Sequence, residues 1–239
     1  MASYKEIFGT NIEVLASDPA NPVTGQVWYN STDNLVKGAA ATTTGAWATG
    51  GSLNTARQYL SGAGTQTSTI GAGGENATAY NVIAESYNGT SWTEVGDLNT
   101  GTYAAAAAGA DNTSALTFAG YNGSNLAKNE SWNGTSWTEL ADLNQPRKYL
   151  EGTGVDNTSA LAISGFNPGT SYLANTETWN GTSWTEDNDM SLARLSMGSS
   201  GTATVALAAG GYDGAFPFEN ATEEWTGAGD PLTKTITSS

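Results

Sequence analysis

The chain has 239 residues, 8 Lys+Arg against 23 Asp+Glu, and neither histidine nor cysteine, for a formal net charge of −15. These counts exclude a disulfide framework, a Cys/His zinc site, a Ser–His or Cys–His nucleophile pair and a histidine pH switch. The acidity argues against nucleic acid and anionic lipid as partners, and no apolar run approaches the roughly 20 residues of a membrane span.

In chain order, residues 1–24 stand outside any repeat and are expected to form an N-terminal arm or anchor. MASYKEIFGT lacks the hydrophobic core of a signal peptide, so cytoplasmic synthesis without an export mark is expected. SDPANPVTG is rich in turn residues. A β-domain is expected over 25–239, opening with a partial unit at 25–55 that holds three strand-like runs, GQVWYNS, NLVKGAA and AWATGGS.

From there the chain repeats, in units at 56–99, 100–144, 145–191 and 192–239. NGTSWTE occurs three times with its indole at Trp92, Trp137 and Trp184, and Trp47 marks a fainter copy one period earlier. Five residues before the three strong indoles stand Tyr87, Trp132 and Trp179, a series that continues at Trp225. Two residues before each of these is an acid: Glu85, Glu130, Glu177 and Glu223. A small pair recurs at Gly73-Gly74, Ala119-Gly120, Ser164-Gly165 and Gly210-Gly211. Arg57, Arg147 and Arg194 share one column, with Thr102 in the remaining copy, and seven residues later comes Gly64, Gly109, Gly154 or Gly201. Runs such as YAAAAAGAD, SALTFAGYN, LAKNESWNG and SWTELADLN, separated by Asp-Asn and Asn-Gly clusters, predict four short strands per unit.

The order glycine pair, aromatic, six residues to Trp, then Leu, then Arg, read here as AGYNGSNLAKNESWNGTSWTELADLNQPR, resembles the kelch repeat over about 45–239. The resemblance implies an all-β fold, a β-propeller of four-stranded blades. Five blades are preferred, with PLTKTITSS completing the fifth; four is the alternative, with the Trp47 strand closing the last blade. Crowded inner strands should be small, as the Ala, Gly and Thr of YAAAAAGAD and YLEGTGVD are, and the aromatic pairs should fill the space between blades. Residues 17–38, SDPANPVTGQVWYNSTDNLVKG, are similar to segments ahead of repeats in virion and tail-fibre-like proteins of tailed bacteriophages. That similarity implies a virion location and other virion proteins as partners.

No catalytic residue, metal or cofactor is expected. Copper oxidases on kelch propellers need histidine, and a sialidase-like site needs arginines gathered at one spot, whereas Arg57, Arg147 and Arg194 occupy equivalent places in separate units. Those arginines have two readings: contact with an acidic glycan or partner surface, or pairing with Glu or Asp of a neighbouring blade, the preferred one. The recurring Glu is read as an acceptor for backbone N–H groups rather than part of a site. Turns at 111–114, 156–159 and 185–189 offer oxygens without calcium-loop spacing, and the Asn88, Asn133 and Asn180 sequons read as turn chemistry. Contact residues are expected in the divergent loops Tyr121–Lys128, Phe166–Leu173 and Tyr212–Phe218, at Tyr121, Phe166, Tyr172, Tyr212, Phe216 and Phe218. The function expected is a non-enzymatic phage structural or adhesion protein that touches a host-surface glycan or protein, with self-association left open. A bacterial kelch-like interaction scaffold is the alternative, and a carbohydrate-active enzyme the third.

Overall fold

The computed structural model describes residues 12–23, 25–39, 47–169 and 171–227. The chain divides into two units, Met1–Thr49 and Gly50–Ser239. Every regular element among the described residues is a strand, which agrees with the all-β expectation, and no helix there is long and apolar enough to cross a membrane.

The first unit holds β1 (Glu13–Leu15), β2 (Val27–Asn30) and β3 (Leu35–Gly38), with β1 parallel to β2 and β2 antiparallel to β3. Asp18 ties it together, accepting from the indole N–H of buried Trp28 (3.0 Å), from Asn30 Nδ2 (2.8 Å) and from Lys37 (2.8 Å). The Lys37 ammonium, then Asn30 and Trp28, hold the Asp18 carboxyl at about 2. The boundary expected at residue 25 therefore runs through this sheet, because the expected arm contributes β1 and hydrogen-bonds to the segment that follows.

The second unit contains one meander per repeat, each strand antiparallel to the next. The first sheet is β4 (Ser61–Thr65), β5 (Ser68–Ala72), β6 (Ala84–Tyr87) and β7 (Trp92–Glu94). The second is β8 (Ala106–Asp111), β9 (Ser114–Phe118), β10 (Asn129–Trp132) and β11 (Trp137–Glu139). The third is β12 (Glu151–Asp156), β13 (Ser159–Asn167), β14 (Ser171–Trp179) and β15 (Trp184–Glu186). The fourth has three strands, β16 (Gly198–Gly201), β17 (Val205–Ala209) and β18 (Thr222–Thr226). TKTITSS, expected as a further strand, lies outside the described residues.

The N-G-T-S sequences form the last hairpin of each four-stranded sheet. Asn88 Oδ1 accepts from the N–H groups of Thr90 and Ser91, and Asn133 and Asn180 do the same in their repeats. The turn places Tyr87 opposite Trp92, Trp132 opposite Trp137 and Trp179 opposite Trp184, with ring centroids 5.1, 5.3 and 5.4 Å apart. The rings then fill the space against the preceding sheet. Trp132 and Trp137 pack on Ile70, Ala72 and Ala84, while Trp179 and Trp184 pack on Leu116 and Phe118. Each fully buried ring contributes on the order of 2–3 kcal/mol. Asn112 and Asn157, in the β8–β9 and β12–β13 turns, add polar latches by donating to Ser86 Oγ (2.9 Å) and Ser131 Oγ (3.1 Å) of the sheet before. Between the third and fourth sheets Trp225, with Met197, Ala206 and Ala208, meets Leu161 and Ile163 as a single ring rather than a pair, and a cavity of about 350 Å³ opens there.

The first strands of the four sheets pack in succession, β4 on β8, β8 on β12 and β12 on β16. Together they line one cavity of about 220 Å³ with small side chains such as Ala63, Ala108 and Thr153. A Cβ on Gly64, Gly109, Gly154 or Gly201 would stand 2.2, 2.5, 2.4 or 2.3 Å from a carbonyl oxygen of the neighbouring strand, so that column admits no side chain. The small pair has a different cause. Its first member sits at φ 61–66° in three copies and 69° in the fourth, which Ala119 and Ser164 tolerate, whereas its second sits at 95–118°, which calls for glycine.

Just before each first strand the backbone turns left-handed at a non-glycine residue: Tyr59, Ala104, Tyr149 and Ser196, all at φ 53–55°. These residues carry hydrogen bonds between sheets, from Ala104 N to Tyr59 O (3.1 Å), Tyr149 N to Ala104 O (3.0 Å) and Ser196 N to Tyr149 O (3.1 Å). Among the described residues no such bond joins Ser196 to Tyr59. The strand expected to start at Tyr103 accordingly begins at Ala106.

Candidate functional site

The arginine column is structural. The side chains of Arg57, Arg147 and Arg194 are fully shielded from solvent and pair with Glu85, Glu177 and Glu223 of their own repeats, at 2.5 Å for Arg147 and 3.2 Å for Arg194. The partner or glycan contact expected of Arg57, Arg147 and Arg194 is thereby corrected, since no face of these guanidiniums reaches the surface. The arginines do pair with Glu, but within one repeat rather than across to a neighbour. The recurring Glu also takes the backbone N–H expected of it, from Asn54 (2.7 Å), Asn99 (2.8 Å), Asn144 (2.7 Å) and Ser191 (2.7 Å). Asn54, Asn99 and Asn144 add a side-chain donor to the same carboxylate oxygen. The sequence reading passed over this column, although Leu-Asn recurs three residues before the Arg or Thr.

Burial pushes the Glu85 carboxyl up, but the Arg57 guanidinium and the Asn54 donors outweigh it and hold the group below the usual carboxylate range. At Arg147 burial prevails over the pull of Glu177 and lowers the guanidinium from its ordinary value. In the second repeat Thr102 replaces the arginine, and Glu130, 2% exposed, keeps only the Asn99 and Thr100 donors.

The aromatic side chains gather into two clusters on equivalent loops. Backbone bridges Gln58–Glu75, Tyr103–Tyr121, Lys148–Phe166 and Leu195–Tyr212 place these loops alike in all four repeats. In the first cluster Tyr59 meets Tyr103 (5.9 Å) and Tyr149 (6.1 Å), Tyr80 stacks on Tyr103 (5.4 Å), and Tyr121 stands edge-on to both Tyr80 and Tyr103. The Lys148 ammonium lies 4.0 Å from the Tyr121 ring centre and 5.2 Å from that of Tyr149. Burial, then Tyr149, raises the Tyr103 hydroxyl above its ordinary value. The second cluster runs Phe166–Tyr172 (5.5 Å), Tyr172–Tyr212 (5.6 Å), Tyr212–Phe218 (5.6 Å) and Phe216–Phe218 (4.5 Å), with Phe216 76% exposed.

The structure thus brings Phe166, Tyr172, Tyr212, Phe216 and Phe218 together and puts Tyr121 with four tyrosines that were not anticipated as contacts: Tyr59, Tyr80, Tyr103 and Tyr149. Tyr103 and Tyr149 open the runs YAAAAAGAD and YLEGTGVD, for which the sequence predicts only inner strands. Residues Phe166–Leu173, expected as a loop, are mostly hairpin, because β13 and β14 extend to pair Phe166 with Tyr172.

Tyr59 and Tyr149 frame a cavity of about 270 Å³ at the N-terminal ends of the first strands of the sheets, with Leu60, Leu150, Met197 and Glu151 in its wall. Glu151 is half-buried, and burial, weakly opposed by the Ser199 hydroxyl, pushes its carboxyl up to about 7. The acidic turns spend their oxygens locally: Asp111 and Asp156 each accept from the N–H and hydroxyl of the Thr two residues on. Among the described residues no three acidic side chains gather as a metal-binding group.

No protein-family model matches the chain, and the search of curated proteins returns no match.

Proposed function

We propose that the four sheets are blades of a kelch-type β-propeller, and that the protein is a non-enzymatic bacteriophage virion component, a tail-fibre, receptor-binding or capsid-decorating propeller that meets a host-surface glycan. The observation that carries the reading is the aromatic face: ten Tyr and Phe rings on equivalent loops of successive repeats, with Tyr59, Tyr80, Phe216 and Phe218 exposed. Exposed aromatic surface on that scale is costly in water and suits a ligand with an apolar face and a hydroxylated rim, such as a pyranose. The repeated charged residues support a non-enzymatic role, because each Arg and its Glu are consumed in holding a sheet.

The succession of inner strands around one cavity supports the propeller. Five blades remain preferred: Leu207 is 37% exposed where Leu116 and Leu161 are fully buried, so the fourth sheet presents a face on which a further blade would pack. The similarity of residues 17–38 to phage segments supports the virion assignment.

Two measurements test this. Mass spectrometry of purified particles should find the protein, and purified protein should bind host cells in competition with their surface polysaccharide. A folded Tyr59→Ala/Phe218→Ala variant that binds cells as well as the parent would refute the aromatic face as the contact. Capture of a soluble bacterial protein without virion association would favour the interaction scaffold instead.

A further inference from the structure

Glu151 occupies a position that the other repeats fill with Ser61, Ala106 and Gly198, so nothing in the repeat architecture requires a carboxylate there. It also differs from the structural glutamates in its partners. Glu85 and Glu177 each hold an arginine and an asparagine, whereas the hydrogen bond to Glu151 comes from Ser199 Oγ at 3.3 Å. The carboxylate therefore keeps unused acceptor sites in the wall of the 270 Å³ cavity, a size suited to one small ring rather than a drug-sized ligand. The aromatic frame is held in place: Tyr59 and Tyr149 are bulky residues in left-handed backbone, and the inter-sheet hydrogen bonds keep them so.

Resting on the glycan-binding reading above, we propose that this cavity is a subsite for an amino sugar, its protonated amine paired with the Glu151 carboxylate and its pyranose ring against Tyr59 and Tyr149. The charge balance selects a cation. At −15 the chain attracts cations and repels acidic sugars. Among the described residues no Lys or Arg pairs with Glu151, so its carboxylate is left for a cation from outside the chain. Burial makes the lone Glu151 charge unfavourable, and an ammonium group beside it offsets that.

The test titrates the whole chain at pH 7 with glucosamine, N-acetylglucosamine and glucose, by calorimetry and saturation-transfer NMR. Glucosamine should bind at least about tenfold more tightly than the other two, on the reasoning that a charge-assisted contact is lost in both. Glu151→Gln should abolish that preference, and so should Glu151→Ser, which copies the first repeat and guards against misfolding of the other variant. Equal binding of all three sugars, or a preference that survives in both variants, overturns the subsite. Absence of monosaccharide binding also overturns it, and the glycan reading then stands only if cell binding is still lost on Tyr59→Ala/Phe218→Ala.

Discussion

Replacing Arg147 by Met isolates what the buried ion pairs do. Arg147 and Glu177 have side chains 0% and 1% exposed and meet at 2.5 Å between packed sheets. Removing the guanidinium leaves Glu177 charged, shielded from water and held only by the two Asn144 donors. Breaking a buried pair on one side costs about 3–5 kcal/mol, which for a unit of this size lowers the melting temperature by roughly 10 °C. The cost arises from the stranded charge, so Glu177→Gln added to Arg147→Met should recover at least about half of it, since the amide oxygen still accepts from Asn144 and carries no charge. The second repeat carries Thr102 in place of the arginine, and Glu130 is held there by donors from Asn99 and Thr100, while the nearby Lys128 ammonium pairs with Glu139 and Asp142. Urea unfolding of the two single variants and the double variant closes the cycle. A loss below about 1 kcal/mol for Arg147→Met, or a double variant no more stable than it, would refute the reasoning.

The remaining predictions concern packing and pH. Gly154→Ala should cost about 3 kcal/mol by urea unfolding, because its Cβ would sit 2.4 Å from Ser159 O, whereas Gly198→Ala, with its nearest neighbour at 4.0 Å, should be neutral or stabilise by up to about 1 kcal/mol. Trp179→Ala should cost about 3–5 kcal/mol, and Trp225→Ala clearly less in the same assay, because Trp225 borders a cavity rather than a second indole. Trp47→Ala should change stability by less than about 0.5 kcal/mol, since that indole is 103% exposed. Burial pushes the Glu151 carboxyl up to about 7 in the folded chain from an ordinary value of 4.5, so between those pH values the folded state binds the extra proton and stability falls as pH rises. Relative to the parent, Glu151→Gln should gain on the order of 3 kcal/mol from pH 4.5 to above 7 and nothing further beyond; unfolding curves that keep a constant offset across this window would contradict the assignment.

The sheets and their contents were legible because repetition is a strong constraint. Each unit must bury the same faces against its neighbours, so the aromatic pairs, the small first strands and the Asn-Gly turns recur at one period, and each repeat folds into its own antiparallel sheet. The roles of individual charged and aromatic side chains were not legible in the same way. Arg57 and Lys148 both stand shortly before the first strand of a sheet, yet one is sealed against Glu85 and the other lies over a tyrosine ring. Which outcome occurs depends on a partner some thirty residues away or on a neighbouring repeat.

The amino-acid sequence by itself determined the β class, the repeat and the residues that mark it, because those follow from local turn chemistry and from the spacing of buried rings along the chain. Tertiary structure alone decided that the arginines are sealed inside, that Tyr59 and Tyr149 frame a cavity and that Glu151 stands in it with one hydrogen-bond partner. Burial and proximity between separate sheets arise only once the sheets have packed, and no local pattern encodes them.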